Sequence, residues 1–287
     1  MRDIIEFPKK YWRIGQSDIL STVILITVIL IISAAFLAFS MVQFSNEAAQ
    51  SSIQYVASFL TNVADDIDTF MFIPGALLTY KLPNTGYGVY NFVNSTHAKC
   101  IITVGALGEL NNVPIINEVS GELIYGVPPN YFSLPPESAI VLRGSTLNGM
   151  PTSSLSDFSL IVSYSTSVLM GTSMALLQLG YGELGGNYYG TYLVMVPRIM
   201  VVNGTGVDGI GYVYIPLLSL MGSQGRSELV INIMNISAQS IVLNGNDGLR
   251  VNETCYFGND AKPINSSVIV IGKTIYINII QIGIGFR

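Results

Sequence analysis

The run KKYWRIGQSDILSTVILITVILIISAAFLAFSMVQFSN, residues 9–46, decides how this chain is organised. Not one charged residue occurs among the 28 positions from Ile19 to Asn46. As α-helix that stretch is about 42 Å long, more than the ~30 Å hydrocarbon core of a bilayer requires. A secretory signal has an apolar stretch of only about 7–15 residues followed by a small-residue cleavage site. The segment is therefore expected to stay in the mature protein. Lys9, Lys10 and Arg13 precede it, and few basic residues come closely after it. That asymmetry predicts a cytoplasmic N-terminus and a single membrane pass, with the remaining chain outside.

The helix is expected to continue past the membrane segment, to about Phe72. Ile53, Val56, Leu60, Val63, Ile67 and Phe70 recur at spacings of three and four, a narrow apolar stripe. Either the stripe packs on the chain's own domain, or it belongs to a helix that assembles with copies of itself. Asp65, Asp66 and Asp68 lie off the stripe and lack the spacing and glycine of a calcium loop. They read as a solvated acidic patch. Pro74-Gly75 ends the element.

From Leu77 onward the pattern is β. Short apolar, β-branched runs alternate with turn residues: Cys100–Val104, Val113–Ile116, Leu123–Val127, Ala139–Leu142, Phe158–Tyr164, Tyr192–Val202, Tyr212–Leu218, Leu229–Ile236, Ser267–Ile271 and Thr274–Ile284. Asn148-Gly149, Asn203-Gly204, Asn244-Gly245 and two Pro-Pro pairs punctuate them. About ten strands with turns between them predict an antiparallel, sandwich-like unit over 77–287. Ser167–Leu179 reads equally as strand or short helix. The fold class expected is α+β: a long N-terminal hydrophobic helix followed by a mostly antiparallel β head, with 1–15 as a basic leader and 16–73 as the membrane helix and its extension.

Charged residues make up 11% of the chain, against about 25% in an ordinary soluble domain. Seven of them fall in the first 18 residues, leaving 24 in the other 269. The β region is thus itself poor in charge. A net charge of −5 without clustered Lys and Arg points away from nucleic acid as a partner.

Candidate chemistry is thin. The lone histidine, His97, sits in the polar run Asn94-Ser95-Thr96-His97, which reads as a surface loop rather than part of a Ser–His–Asp triad. Gly180–Gly185 and Gly204–Gly209 match GxGxxG, but neither leads into a helix start, so both read as glycine-rich turns. The sequence points to a non-enzyme with no cofactor. Cys100 and Cys255 both lie beyond the apolar segment. Outside the cytoplasm they can bridge, and the other reading is two buried thiols. No CxxC spacing suggests a zinc site. Glycosylation sequons occur at Asn94, Asn203, Asn235, Asn252 and Asn265, all in the β region.

The residues Lys9 to Leu20 resemble the class III signal of archaeal type IV pilins and archaellin-like proteins. Such proteins carry a basic leader, a glycine, a Gln-Ser-acid triplet and then the hydrophobic helix. The resemblance covers residues 9–45. It implies that a prepilin peptidase cuts after Gly15, that Gln16 becomes the new N-terminus, and that the helix moves from the membrane into a filament. Partners would be further copies of the chain and the pilus assembly machinery. The nearest acid to the new terminus would be Asp18, and Ile31 lies mid-helix where subunits would pack. The function implied is a structural subunit of a surface filament, serving adhesion or cell contact. The alternative is a membrane-anchored ectodomain that never polymerises, such as a cell-envelope or solute-binding protein.

Overall fold

The computed structural model describes residues 10–107, 114–135, 138–144, 155, 158–164, 172–180, 183–184, 187–188, 190–204, 209–223, 225, 227–243, 248–258 and 263–287; for 10–18, 164, 183–184, 187–188 and 223 it describes the backbone only. The chain is α+β: one long apolar N-terminal helix followed by mostly antiparallel sheets. Helix α1 runs Lys10–Phe70. It begins before the expected start at residue 16, and Gly15 and Gln16 lie within it. The chain divides into two compact units, Met1–Ala48 and Ala49–Arg287. The boundary falls inside α1 rather than at residues 73–77, because the stripe after Ala49 is part of the β core.

That stripe packs on its own domain. Ile53, Val56, Leu60, Val63 and Ile67 are buried, and Met71 closes the row at 1% exposure. Phe70 is only half-buried; the step from Ile67 to Met71 is four residues, which keeps the side chain on the same face. Gly75 stops the element with φ of +83°, a conformation that favours glycine. Its N–H donates to Ile233 O (2.7 Å), and Ile233 N–H returns a bond to Ala76 O (2.9 Å), so the turn is tied directly to a β-strand.

Among the described residues, three larger sheets and one two-stranded pair follow. The first orders β1 (Leu77–Lys81), β14 (Glu228–Val242), β17 (Thr274–Phe286), β13 (Ile210–Ser223), β12 (Ile199–Val202) and β7 (Ile161–Tyr164). Among the described residues, only β13/β17 and β12/β7 run parallel. The second orders β2 (Val89–Val93), β5 (Glu122–Val127), β11 (Thr191–Pro197), β8 (Met174–Leu179) and β6 (Ala139–Arg143). The third orders β16 (Ile264–Ile271), β15 (Gly248–Phe257), β3 (Ala98–Ala106) and β4 (Ile116–Ser120). A two-stranded pair, β9 (Glu183–Leu184) and β10 (Asn187–Tyr188), stands apart.

Each pair of sheets shares a core. Residues 53–71 of α1 pack with the first and second sheets, the second and third share another cluster, and the first and third a further one. Strand β11 shows why its sequence is apolar throughout. Leu193 and Met195 face the helix core, while Tyr192, Val194 and Val196 face the third sheet. A strand covered on both sides has no polar face to alternate with.

Candidate functional site

Residues 19–44 present the largest chemical anomaly. Every large apolar side chain there, from Ile19 (68%) to Phe44 (69%), is exposed in the isolated chain. The helix is long and apolar enough to cross a membrane. Polar groups on it are mostly hydroxyls, and Thr27 Oγ1 donates to Val23 O (2.8 Å), which satisfies the hydroxyl proton within the helix itself. Ile31 is 62% exposed on this surface. Asp18, Gly15 and Gln16 lie on α1 ahead of it, where only the backbone is described.

The acidic triad is not the solvated patch expected. Asp65 and Asp68 both accept from Arg143 Nη2 on β6, at 2.6 and 2.8 Å. Arg143 Nε also reaches Asp65 (3.1 Å) and its Nη1 donates to Met174 O (2.5 Å). Asp68 Oδ1 further accepts from the Ser173 backbone N–H (2.9 Å) and from the Ser173 hydroxyl. Asp66 accepts from the Tyr80 hydroxyl (2.7 Å). Positions 65 and 68 are three apart, so one guanidinium can reach both. Burial pushes the Asp68 carboxyl up, and Arg143 opposes that shift. The cluster joins the helix to β6 and the start of β8.

Removing Arg143 leaves the largely buried Asp68 carboxylate without its cation. Arg143→Met is expected to cost about 3 kcal/mol, the low end for breaking a buried pair because Asp65 is mostly exposed. Urea unfolding measures it. In an Asp68→Asn background the same substitution should cost far less, and equal costs in both backgrounds would contradict the assignment.

Among the described residues, Glu122 and Glu253 are fully buried, and neither Glu122 carboxylate oxygen has a hydrogen-bond partner. Glu253 Oε2 accepts from Ile199 N–H (3.3 Å) and sits near Arg198. Arg198, also fully buried, donates to Ser159 O and to Thr172 Oγ1 (3.2 Å) and lies 5.0 Å over the Phe158 ring. Desolvation holds both glutamates well above the ordinary value of 4.5. A carboxyl whose folded pKa exceeds its unfolded one keeps its proton in the folded state and loses it on unfolding. The contribution of these two groups to stability is therefore fully present below about pH 4.5 and is lost as pH rises from there toward the folded values. Glu122→Met removes an unpartnered buried group and is expected to gain about 1–3 kcal/mol at pH 7 while flattening that fall. Urea midpoints at pH 4 and 7 test this; a loss of stability at pH 7 would refute it.

Cys100 and Cys255 are bonded as a disulfide, with Cα atoms 4.0 Å apart. They are directly opposed in the β3/β15 register, Cys255↔Cys100. Their sulfurs and the Glu253 carboxylate lie within 4.8 Å of one another. With both sulfurs bonded to each other, the group has no thiolate to offer a metal.

His97 is exposed in the turn between β2 and β3, as expected of a surface loop. Gly180 comes directly after β8, and Gly204 and Gly209 flank residues outside the described part; Ile210 after them starts β13, a strand and not a helix. In the stretch open to either reading, Met174–Leu179 is the strand β8, and Ser173 just before it is a bend. Residues 167–171 lie outside the described part. Among the sequons, Asn94, Asn235 and Asn265 are exposed. Asn203 and Asn252 are half-buried, with Oδ1 accepting from Ile271 N–H and from the Ser267 hydroxyl respectively. An open cleft beside β1 and β2 is lined by Lys81, Asn84, Thr85, Gly88 and Tyr90, without an acid–base pair.

No protein-family model, characterised protein or solved structure matches this chain.

Proposed function

We propose that the chain is a subunit of a type IV pilin-like surface filament, used in adhesion or cell contact. The observation that carries the reading is the exposed apolar surface of Ile19–Phe44. Water cannot stably cover a helix of that length and composition, so it is taken by lipid or by other helices. The resemblance of Lys9–Leu20 to a class III signal favours both in turn: lipid first, then neighbouring subunits after a peptidase removes the basic leader at Gly15. Asp18 and Ile31 would then lie in the packed filament core. In this reading the β-rich head, sandwich-like in its paired sheets, faces outward, and its exposed sequons at Asn94 and Asn265 accept glycans where the host attaches them.

The disulfide supports the outward placement, because oxidising compartments are where such bridges persist. Shearing intact cells tests the function. Recovery of the chain in sheared filaments supports it; a chain that stays wholly with the membrane leaves a tethered ectodomain in its place.

A further inference from the structure

Strand β14 has an uneven edge. On one side β17 pairs with it from Leu229 to Val242. On the other, β1 pairs only with Glu228–Asn232, and the Gly75–Ala76 turn holds Ile233. Beyond that point, no strand among the described residues pairs with Asn235–Val242 on this side, and it forms a sheet edge. Asn235, Ser237, Ala238, Gln239, Ser240 and Val242 are exposed, Val242 by 65%. Such an edge displays the N–H and C=O of every second residue to a passing strand.

Natural edges are guarded by lysine, proline, a bulge or shortness. No charged residue and no proline occurs from Leu229 to Asn246. The bulge between Ile233 and Asn235 lies where the edge begins and leaves the rest regular. An eight-residue edge without safeguards is a liability unless it is used.

We infer that Asn235–Val242 pairs antiparallel with the same segment of a second copy of this chain. A two-fold axis normal to the sheet opposes residues of equal parity, since both must lie on the same face. Centred on Gln239, it sets Ile236 against Val242 of the second copy, Ala238 against Ser240, Ser237 against Ile241, and Gln239 against its own counterpart. The exposed Val242 then gains a β-branched neighbour at each end of the contact. A register centred on Ala238 would carry Val242 of the second copy to Met234, beside the turn that already occupies Ile233; one centred on Ser240 shortens the pairing. No like charges meet in any of these.

The contact is separate from the filament helix, and the test keeps the two apart. In an antiparallel pair, opposed Cα atoms lie about 4.5–5.5 Å apart, within reach of a disulfide. Full-length Gln239→Cys, in its native membrane with mild oxidant, should shift on a non-reducing gel to twice the monomer mass. Ser237→Cys, two residues off the axis, should stay monomeric. Adding Ser240→Lys to Gln239→Cys should abolish the dimer, because an edge lysine blocks strand addition. The Gln239→Cys dimer should persist in an Ile31→Lys chain, even where that chain forms no filaments. Absence of the Gln239→Cys dimer, or equal cross-linking at 237 and 239, overturns the pairing and says nothing against the helix.

Discussion

Replacing Cys100 and Cys255 together by alanine is expected to destabilise the β-rich unit by about 5 kcal/mol. The two cysteines are 155 residues apart in sequence, and in the chain-entropy account closing a loop of that length removes about that much freedom from the unfolded chain. Both side chains are fully buried between the second and third sheets, so the lost atoms also leave a small void in that core. A domain of ordinary stability has only about 5–15 kcal/mol in reserve, and the variant should sit near the unfolding threshold. Urea unfolding of the oxidised chain against the double variant reads the difference. A midpoint shift of under about 1 kcal/mol equivalent would mean that the bridge adds little to a sheet already fixed by the β3/β15 ladder.

The second large effect is all-or-none. Ile31→Lys is expected to leave the chain inserted in the membrane and absent from sheared filaments. A central lysine costs only about 3 kcal/mol on insertion scales, which a helix with no charge from Ile19 to Asn46 tolerates. Buried without a partner among packed helices, the same charge costs several kcal/mol at every subunit contact. Membrane fractionation and shearing of the same cells separate the two steps. Filaments containing the Ile31→Lys chain at normal levels would contradict helix-mediated assembly.

The sequence was most legible where one physical rule dominates. The uncharged run and the stripe from Ile53 to Ile67 both appear as α1, since length and a period of three to four leave no competing structure. Nearly all the expected strands are present, but several boundaries moved. The Tyr192–Val202 run is broken at Arg198 into β11 and β12, where the chain passes from the second sheet to the first. Strand β15 was missed because its inward face reads Leu249, Val251, Glu253, Cys255 and Phe257. The buried Glu253 interrupts the alternation that marks a strand. Strand β8 was ambiguous because MALLQL is buried on both faces and shows no period at all.

The candidate site was legible only in part. The apolar helix surface and the cysteine pair were in the sequence. The role of Asp68 was not, because its partner Arg143 is 75 residues away and nothing local ties them. Nor was the bare edge of β14, which exists only because β1 is five residues long and its neighbour fifteen.

The most direct measurement of the central claim is the mass of the native N-terminal peptide, taken from protein sheared off intact cells. Processing as a pilin-like subunit predicts a peptide that starts at Gln16, with residues 1–15 removed and Asp18 and the apolar run retained. A peptide that still carries Lys9, Lys10 and Arg13 ahead of Gly15 would contradict it, because the basic leader would then hold the helix in the bilayer.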